Sequence, residues 1–414
     1  MGRRKVRLVA LASFAASALL AGAISCTASA ENSAAVTVDT LPGGITHTVT
    51  SAPLEPGQWT LVAQRDIQPP ELDAAELFDP GDIAIADDGS ILVADQKPTV
   101  IKVFDAQGRF LRAIGREGEG PGEFRSAYIA VRGDTLVVQD ARNARATTFN
   151  WRTGELLSER RTSCCYYSPI GIDGDGRVLV RSIMSAPDST LENTQGFVRF
   201  PLNGADADTL FAVERQGTPE AKPWLVRDGD RMVMSVGVPM QPRLTFAVDP
   251  TRGLLTGWSG DYVLRASTDG RDTVALFGRP PSPSAISDAE KQSIVDARVA
   301  SMQSDNFAGV SEQVLRTAFD PAAIPDSRPA YETFTVDAAG RTWVRRVADP
   351  SDSSTTAFDL FDAEGRWLDI VRVPAAGWTA TAWGPSAWGR DAIAVVIEGE
   401  DGRPMVRVYG IGRK

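Results

Sequence analysis

Histidine and cysteine are scarce in this chain of 414 residues, and basic residues are fewer than acidic ones. The single histidine, His47, leaves no material for zinc sites built from several histidines, or for catalytic triads and dyads that need an imidazole base. The 43 Lys and Arg residues against 53 Asp and Glu give a formal net charge of −10. Because an acidic chain repels phosphate backbones, nucleic acid is not an expected partner.

Long apolar runs are also missing after the first 25 residues, and the one at the N-terminus has the features of an export signal. A basic stretch precedes an Ala- and Leu-rich run at residues 8–25. Two processing routes stay open. Ala28-Ser29-Ala30 fits cleavage that removes residues 1–30 as a signal peptide, whereas residues 23–26 (Ala-Ile-Ser-Cys) resemble a lipobox, which would remove residues 1–25 and acylate Cys26.

The export signal predicts a location outside the cytoplasm: in the periplasm, at the membrane as an anchored lipoprotein, or, alternatively, secreted. Contact with a membrane is expected only through a lipid on Cys26. The following residues 31–57 are rich in Thr, Ser, Pro and Gly and have little apolar periodicity, so we predict a flexible tether there. The folded body is expected to occupy residues 58–414.

A repeated pattern of short strands and tight turns fills that body. The clearest copy runs from Ile83 to Ile114, where apolar residues alternate on both sides of Asp88-Gly89 and of Gln107-Gly108. This pattern predicts four antiparallel strands in about 32 residues. Four such strands joined by short turns make one blade of a propeller.

The first turn of each copy contains a glycine, and six copies can be aligned on it: Gly89, Gly133, Gly176, Gly253, Gly340 and Gly389. The last copy lacks an outer strand, and the isolated apolar segment at residues 59–65 can supply one. We therefore predict an all-β fold: a six-bladed β-propeller of four-stranded antiparallel blades, closed by an N-terminal strand.

Two insertions lengthen the repeat. The first, within about residues 185–243, is expected to extend loops and strands of the third and fourth blades. The second, about residues 284–320, is expected to be helical, since Ser287 and Glu290 form a capping box. Apolar residues then recur at helical spacing, at Ile294, Val295, Val299 and Met302. Two interpretations of this helical insertion stay open: it only packs on the ring, or it is a lid over a binding site.

The segment from Ala113 to Phe124 (AIGREGEGPGEF) resembles the inter-blade connection of NHL-type propellers, with its Gly-Pro-Gly-x-Phe run leading into the next inner strand. More widely, residues 59–412 resemble bacterial six-bladed propellers of the NHL/TolB-like class. The resemblance implies the propeller fold and fits export or lipidation. Many such proteins have no assigned activity, so it implies no particular one.

In propellers, the loops that enter the innermost strands meet at one end of the central channel, where ligands commonly lie. The candidate ligand-binding residues in these loops are Arg125, Tyr166, Tyr167, Arg243, Arg328 and Tyr331. Arginine suits forked hydrogen bonding to carboxylate or phosphate, and tyrosine offers an apolar face with a polar tip. The alternative is that the arginines pair with loop carboxylates and the tyrosines only pack.

Two further features bear on chemistry. Cys164 and Cys165 are adjacent and would either close a vicinal disulfide in an oxidising compartment or remain thiols. Calcium-dependent lactonases share the six-bladed architecture, and that resemblance would place Asp79, Asp82 or Asn143 near a metal, although no motif selects them. We expect no metal site and no cofactor, with calcium as the alternative.

The first functional hypothesis is therefore a non-catalytic binding propeller of the cell envelope, with another envelope protein, a peptide or a glycan as its partner. The alternative is a calcium-dependent hydrolase, similar to the lactonases, acting at the channel mouth.

Overall fold

The structure is a computed structural model that describes residues 36–71, 73–162, 170–182, 195–202, 208–212, 223–268, 272–282, 284–304, 309–348, 354–375 and 385–414. Strands dominate it. They begin with β1 (Val36–Leu41), β2 (Ile45–Thr50) and β3 (Trp59–Ile67).

Six antiparallel sheets follow in chain order, and each is one blade. Blade 1 contains β4 (Pro80–Ile85), β5 (Ile91–Gln96), β6 (Thr99–Phe104) and β7 (Phe110–Ile114). After the short strands β8 (Arg116–Glu117) and β9 (Glu123–Phe124), blade 2 contains β10 (Tyr128–Arg132), β11 (Thr135–Asp140), β12 (Arg145–Asn150) and β13 (Glu155–Arg161). Blade 3 contains β14 (Ile170–Ile172), β15 (Arg177–Ser182), β16 (Gln195–Pro201) and β17 (Asp208–Ala212).

The second half of the ring carries both insertions. The hairpin of β18 (Trp224–Asp228) and β19 (Arg231–Val236) precedes blade 4, which contains β20 (Leu244–Asp249), β21 (Gly253–Trp258), β22 (Val263–Ser267) and β23 (Ala275–Gly278). The helices α1 (Asp288–Ser304) and α2 (Glu312–Ala318) and a 3₁₀ turn (Pro321–Ala323) come next. Blade 5 contains β24 (Thr333–Val336), β25 (Thr342–Arg345), β26 (Thr355–Phe361) and β27 (Trp367–Pro374), and blade 6 contains β28 (Ser386–Trp388), β29 (Ala392–Glu398) and β30 (Pro404–Arg413).

All six predicted glycine turns join the innermost strand of a blade to its second strand, which confirms the predicted six-bladed propeller. Gly89 and Gly340 have φ values of +82° and +80°, a conformation that glycine adopts without steric cost. The predicted closure is also confirmed, because β3 pairs antiparallel with β30 as the fourth strand of blade 6. No blade edge at this junction is left without its outer strand.

Several hairpin turns share a five-residue pattern, Asp-x-x-Gly-Arg. In the copy from Asp337 to Arg341, the aspartate Oδ1 accepts from the N–H groups of Ala339 and Arg341, at 2.9 and 3.0 Å, and Arg341 Nε donates to Oδ2. The copies at residues 105–109 and 362–366 repeat these bonds. The aspartate therefore satisfies turn amides that have no strand partner.

Residues 36–57 differ from the flexible tether that we expected at residues 31–57. Strands β1 and β2 form a hairpin, and β2 pairs in parallel with β23 at the outer edge of blade 4. The chain then crosses blade 5, where Asp369 accepts from the N–H groups of Gly57 and Trp59, both at 2.8 Å. This Thr-rich segment is held mainly by main-chain hydrogen bonds to the edge of an existing sheet and less by burial of apolar side chains.

The second insertion is helical, as predicted, and it packs on the described part of the first. Trp224 of β18 stacks on Phe319 with ring centroids 4.7 Å apart, and its indole N–H donates to the Asp320 carbonyl at 3.1 Å. Val295 and Val299 of α1 are buried in the same cluster. We call the unit of β18, β19, α1 and α2 the cap. Residues 224–236 therefore do not lengthen strands of blades 3 and 4, because their apolar face is buried against the helices instead.

Arginines join neighbouring blades at the hairpin-turn end of the ring. Arg252 donates to the Ala363 and Gly340 carbonyls of blade 5, and Arg199 donates to the Thr268 carbonyl of blade 4. Arg132 and Arg341 donate to carbonyls across two other junctions, and Arg152 donates to the Asp88 carboxylate across a third. A guanidinium presents several N–H groups in a fixed fork, so one side chain can satisfy two carbonyls of the neighbouring blade.

Candidate functional site: the loop end of the ring

The cap lies at the end of the ring where the chain enters the innermost strands, which we call the loop end. At blade 4, the register pairs Leu244 with Trp258 and Val263 with Gly278 at this end. The chain reaches Leu244 from the cap hairpin and leaves Gly278 toward α1. The cap, which contains α1, α2 and residues 224–236 of the first insertion, therefore lies at the end of the fold where propellers usually bind ligands.

A repeated side-chain contact holds the loops at this end. Asp95 accepts from the N–H groups of Phe78 and Asp79, at 3.0 and 2.6 Å. In blade 4, Ser259 Oγ accepts from the N–H of Arg243 at 2.9 Å. In each case an acceptor after or at the end of the second strand fixes the loop that enters the first.

Asp140 is the most extensively bonded of these acceptors. It is fully buried and accepts from the N–H groups of Arg125 (2.9 Å), Ser126 (3.2 Å), Arg142 (3.1 Å) and Asn143 (3.2 Å). The Ser126 hydroxyl and the Asn143 amide also donate to it, at 3.0 and 2.6 Å. One carboxylate thus orders two loops. The sequence signal that could have revealed it is the aspartate that both second strands share near their ends, Asp95 in β5 and Asp140 in β11.

The loop before blade 1 presents an exposed aromatic ring on a rigid support. The Phe78 side chain is 54% exposed. Its ring lies 5.1 Å from Lys102 Nζ, and the buried Lys102 in turn forms an ion pair of 2.8 Å with Asp95. Because the loop is already fixed, a partner that contacts Phe78 loses little conformational entropy in binding.

The predicted arginines of this end are engaged in contacts within the protein. Arg125 Nη1 lies 2.9 Å from Glu119 Oε1 in an exposed ion pair. Arg328 contacts Glu290 and the Ser284 hydroxyl, and Arg243 Nη2 donates to a main-chain carbonyl at 3.1 Å. The Glu290 carboxylate of the predicted capping box therefore pairs with Arg328, while Ser287 Oγ accepts from the Glu290 N–H as expected.

Tyr331 does not offer its ring to a channel mouth as we expected. It is fully buried in the core between blades 4 and 5, with its hydroxyl 3.4 Å from Thr245 Oγ1, and burial raises its pKa. The apolar ring packs against Tyr262 and Phe334, and this packing favours the buried position over exposure of the side chain at the channel mouth. Tyr166, Tyr167, Cys164, Cys165 and Cys26 lie outside the described residues.

A buried charged cluster between blades 4 and 5 was not anticipated. The Asp359 carboxylate accepts from the Tyr262 hydroxyl at 2.6 Å and from Arg279 Nε at 3.0 Å. The guanidinium of Arg279 also lies 4.3 Å from the centre of the Tyr262 ring. Burial, followed by the charge of Asp359, raises the pKa of Tyr262 well above its usual value. The cluster fixes Arg279, the residue at which the chain leaves blade 4 for the cap.

The three residues considered for calcium are separately engaged. Asp79 pairs with Lys97 at 3.0 Å, and Asn143 donates to Asp140. Asp82 is buried and accepts from the N–H groups of Ile83 and Ile129, and burial raises its pKa to about 7. Within the described ranges, no group of three His, Cys, Asp or Glu side chains is arranged to hold a metal ion.

No helix within the described part of the chain is long and apolar enough to cross a bilayer. Comparison with curated protein sequences finds no match. Residues 73–177 match the model of the DUF5128 family, described as a 6-bladed beta-propeller. These residues cover blades 1 and 2 and the start of blade 3.

Two solved structures are similar to this chain. A member of the DUF4221 family from Bacteroides vulgatus shares 11% identity with a TM-score of 0.50, over 87% of this chain and 100% of that one. A candidate exported protein from Bacteroides fragilis shares 11% identity with a TM-score of 0.44, over 86% and 95%. At such low identity, the first likeness bears on the fold alone. With the family match to blades 1 and 2 and the six sheets described above, it identifies this chain as a six-bladed β-propeller.

Proposed function

We propose that this protein is a non-catalytic binding propeller of a bacterial cell envelope, of the NHL/TolB-like class, and that its loop end receives the ligand. The observation that carries the proposal is the fixed presentation, at the same end of the ring, of Phe78 on the loop that enters blade 1 and of the exposed ion pair of Arg125 and Glu119 on the loop that enters blade 2. Exposed aromatic and arginine side chains on pre-organised loops are typical of binding hot spots. The loops that carry both residues are held by equivalent aspartates, Asp95 and Asp140.

The ligand that suits this surface is a protein or peptide segment with an apolar side chain and a carboxylate. The apolar side chain would contact Phe78, and the carboxylate would replace Glu119 on Arg125. We further propose that the N-terminal signal exports the chain and that Cys26 carries a lipid anchor. A glycan with a carboxylate group would satisfy the same contacts and is a competing outcome of the test.

The test compares three purified proteins: the mature chain, a Phe78→Ala/Arg125→Ala double variant, and an Arg366→Ala/Leu111→Ala control whose exposed residues lie away from the loop end. Each protein is labelled and incubated with immobilised peptide and glycan arrays. The affinity of any peptide or glycan that binds is then measured by calorimetry. We expect a carboxylate-bearing peptide to bind the mature chain and the control, and to bind the double variant at least tenfold more weakly. Equal binding to all three proteins would contradict the proposal.

The calcium-dependent hydrolase is tested on the same samples. We expect millimolar calcium to leave the unfolding temperature of the mature chain unchanged relative to EDTA. A specific site would instead stabilise the fold by about 2.7 kcal/mol at a hundredfold excess over its dissociation constant. Such a shift, together with hydrolysis of lactone or ester substrates, would replace the binding proposal with the enzyme.

A further inference from the structure

The cap hairpin presents an apolar outer face to solvent. Trp224 and Val226 are buried in the cap core, whereas Leu225 between them is 44% exposed. On β19, Met232 is 56% exposed and pairs with Arg227 of β18. Leu225, Arg227 and Met232 therefore share the face that points away from the helices. The hairpin thus exposes two apolar side chains, Leu225 and Met232, on the same face as the Arg227 guanidinium.

The N-terminal end of the described chain lies at the same end of the ring. Val36 pairs with Thr50, and Val49 pairs with Gly278, from which the chain leads to α1. Ten peptide steps separate Cys26 from Val36 in the sequence. A chain of that length spans at most about 36 Å. A lipid on Cys26 would therefore hold Val36, which lies beside the loop end of blade 4, no farther than that distance from the membrane surface.

From these two observations we infer that the outer face of the cap hairpin docks on the phospholipid surface to which the chain is tethered. The inference rests on the lipid anchor proposed above. Leu225 and Met232 would enter the interfacial layer, while Arg227 and Arg231 contact headgroup phosphates. Because the tether raises the local concentration of the hairpin at the surface, a weak contact is sufficient.

The charges of the hairpin decide which lipids should matter. Asp228 and Asp230 in its turn balance Arg227 and Arg231, and the chain as a whole carries a net charge of −10. Attraction to anionic lipid is therefore weak, and the apolar contact should dominate. Docking at blade 4 also leaves Phe78 free, since blade 1 lies across the ring.

The experiment tethers residues 26–414, with a hexahistidine tag in place of residues 1–25, to phosphatidylcholine vesicles that contain nickel-chelating lipid. The measurement is the rate at which imidazole releases the protein. A Leu225→Ser/Met232→Ser variant is compared with a Leu111→Ser/Leu157→Ser control, whose leucines are 48% and 51% exposed on the outer strands of blades 1 and 2. Because all four side chains are exposed, thermal unfolding should show both variants folded.

We expect the cap variant to be released roughly tenfold faster than the unsubstituted chain, which corresponds to the loss of two partly inserted apolar side chains. The control should be released at the unsubstituted rate. Equal release of all proteins, or equally fast release of the control, would overturn the inference. Loss of self-association by the cap variant in lipid-free solution would also overturn it, because the occupant would then be a second copy.

The ligand-binding proposal is tested separately, because the array experiment with Phe78→Ala/Arg125→Ala contains no lipid. Mass spectrometry of the N-terminal peptide from exported protein tests acylation of Cys26 directly. A cleaved, unacylated chain beginning at residue 31 would remove the tether and with it the inference, while leaving the binding proposal intact.

Discussion

Replacing Asp140 with alanine should destabilise the ring by about 3–5 kcal/mol. Its buried carboxylate accepts from four main-chain N–H groups and two side chains, and no cation pairs with it among the described residues. Each buried donor left unsatisfied costs about 1–3 kcal/mol. The losses overlap, because water can reach part of the loop once the carboxylate is removed, so the simple sum is an upper bound.

Urea unfolding followed by tryptophan fluorescence measures this loss. Asp134→Ala is the matched control, because Asp134 lies in the same blade but is exposed, and its carboxylate pairs with the exposed Arg152 at 2.5 Å. The control should unfold at the wild-type urea concentration. If Asp140→Ala unfolded at the same concentration as Asp134→Ala, the loop end would not depend on this carboxylate, and the argument for a pre-organised binding surface would fail.

Three further substitutions test other parts of the fold. Trp224→Ala should destabilise the cap by about 3–5 kcal/mol, because it removes a stacked, buried indole. The loss is measured as faster hydrogen exchange in α1 and α2. Leu225→Ala, on the opposite face of the hairpin, should leave that exchange unchanged. Burial raises the pKa of Asp82 to about 7. Between about pH 4 and 7, Asp82 stays protonated in the folded protein but is ionised in the unfolded chain, so wild-type stability falls as pH rises through this window, by about 1.4 kcal/mol per pH unit. The non-titrating Asp82→Asn should lack this slope in urea midpoints. Parallel pH profiles would contradict the assignment. Asp369→Ala should speed hydrogen exchange across residues 45–59 and lower the unfolding temperature, since it removes the acceptor of the Gly57 and Trp59 amides. Unchanged exchange would show that the β2 pairing alone holds the segment.

The ring was predictable because its signals are local. A blade is specified by period-two alternation and by glycines that adopt positive φ, and both are visible within about 12 residues of sequence. The closing strand β3 could be predicted because one isolated apolar segment precedes the first copy of the repeat and the last copy lacks its outer strand. The helical insertion was predictable for the same local reason, from its spacing of apolar residues.

The contacts that depend on distant partners could not be predicted. The hairpin of β1 and β2 is stabilised by main-chain bonds to β23, about 230 residues away, and its Thr-rich strands carry few apolar side chains. The cap required knowing that Trp224 meets Phe319. Tyr331 was assigned to a mouth from its loop position, but the aromatic neighbours that bury it come from other strands. The roles of Tyr166, Tyr167 and the cysteine pair remain predictions.

The closing blade also dictates when folding can be completed. Arg407 on the last strand forms an ion pair with Asp66 on β3, 341 residues earlier in the chain. During synthesis, β3 emerges long before its partner strand exists and stays unpaired until the final residues are made. Contacts of such sequence separation make folding slow, because the chain must close a very long loop first. Closure of the ring is therefore a late event, completed only after the C-terminal strand has been synthesised. A truncation that removes β30 would leave β3 without its partner strand and blade 6 incomplete.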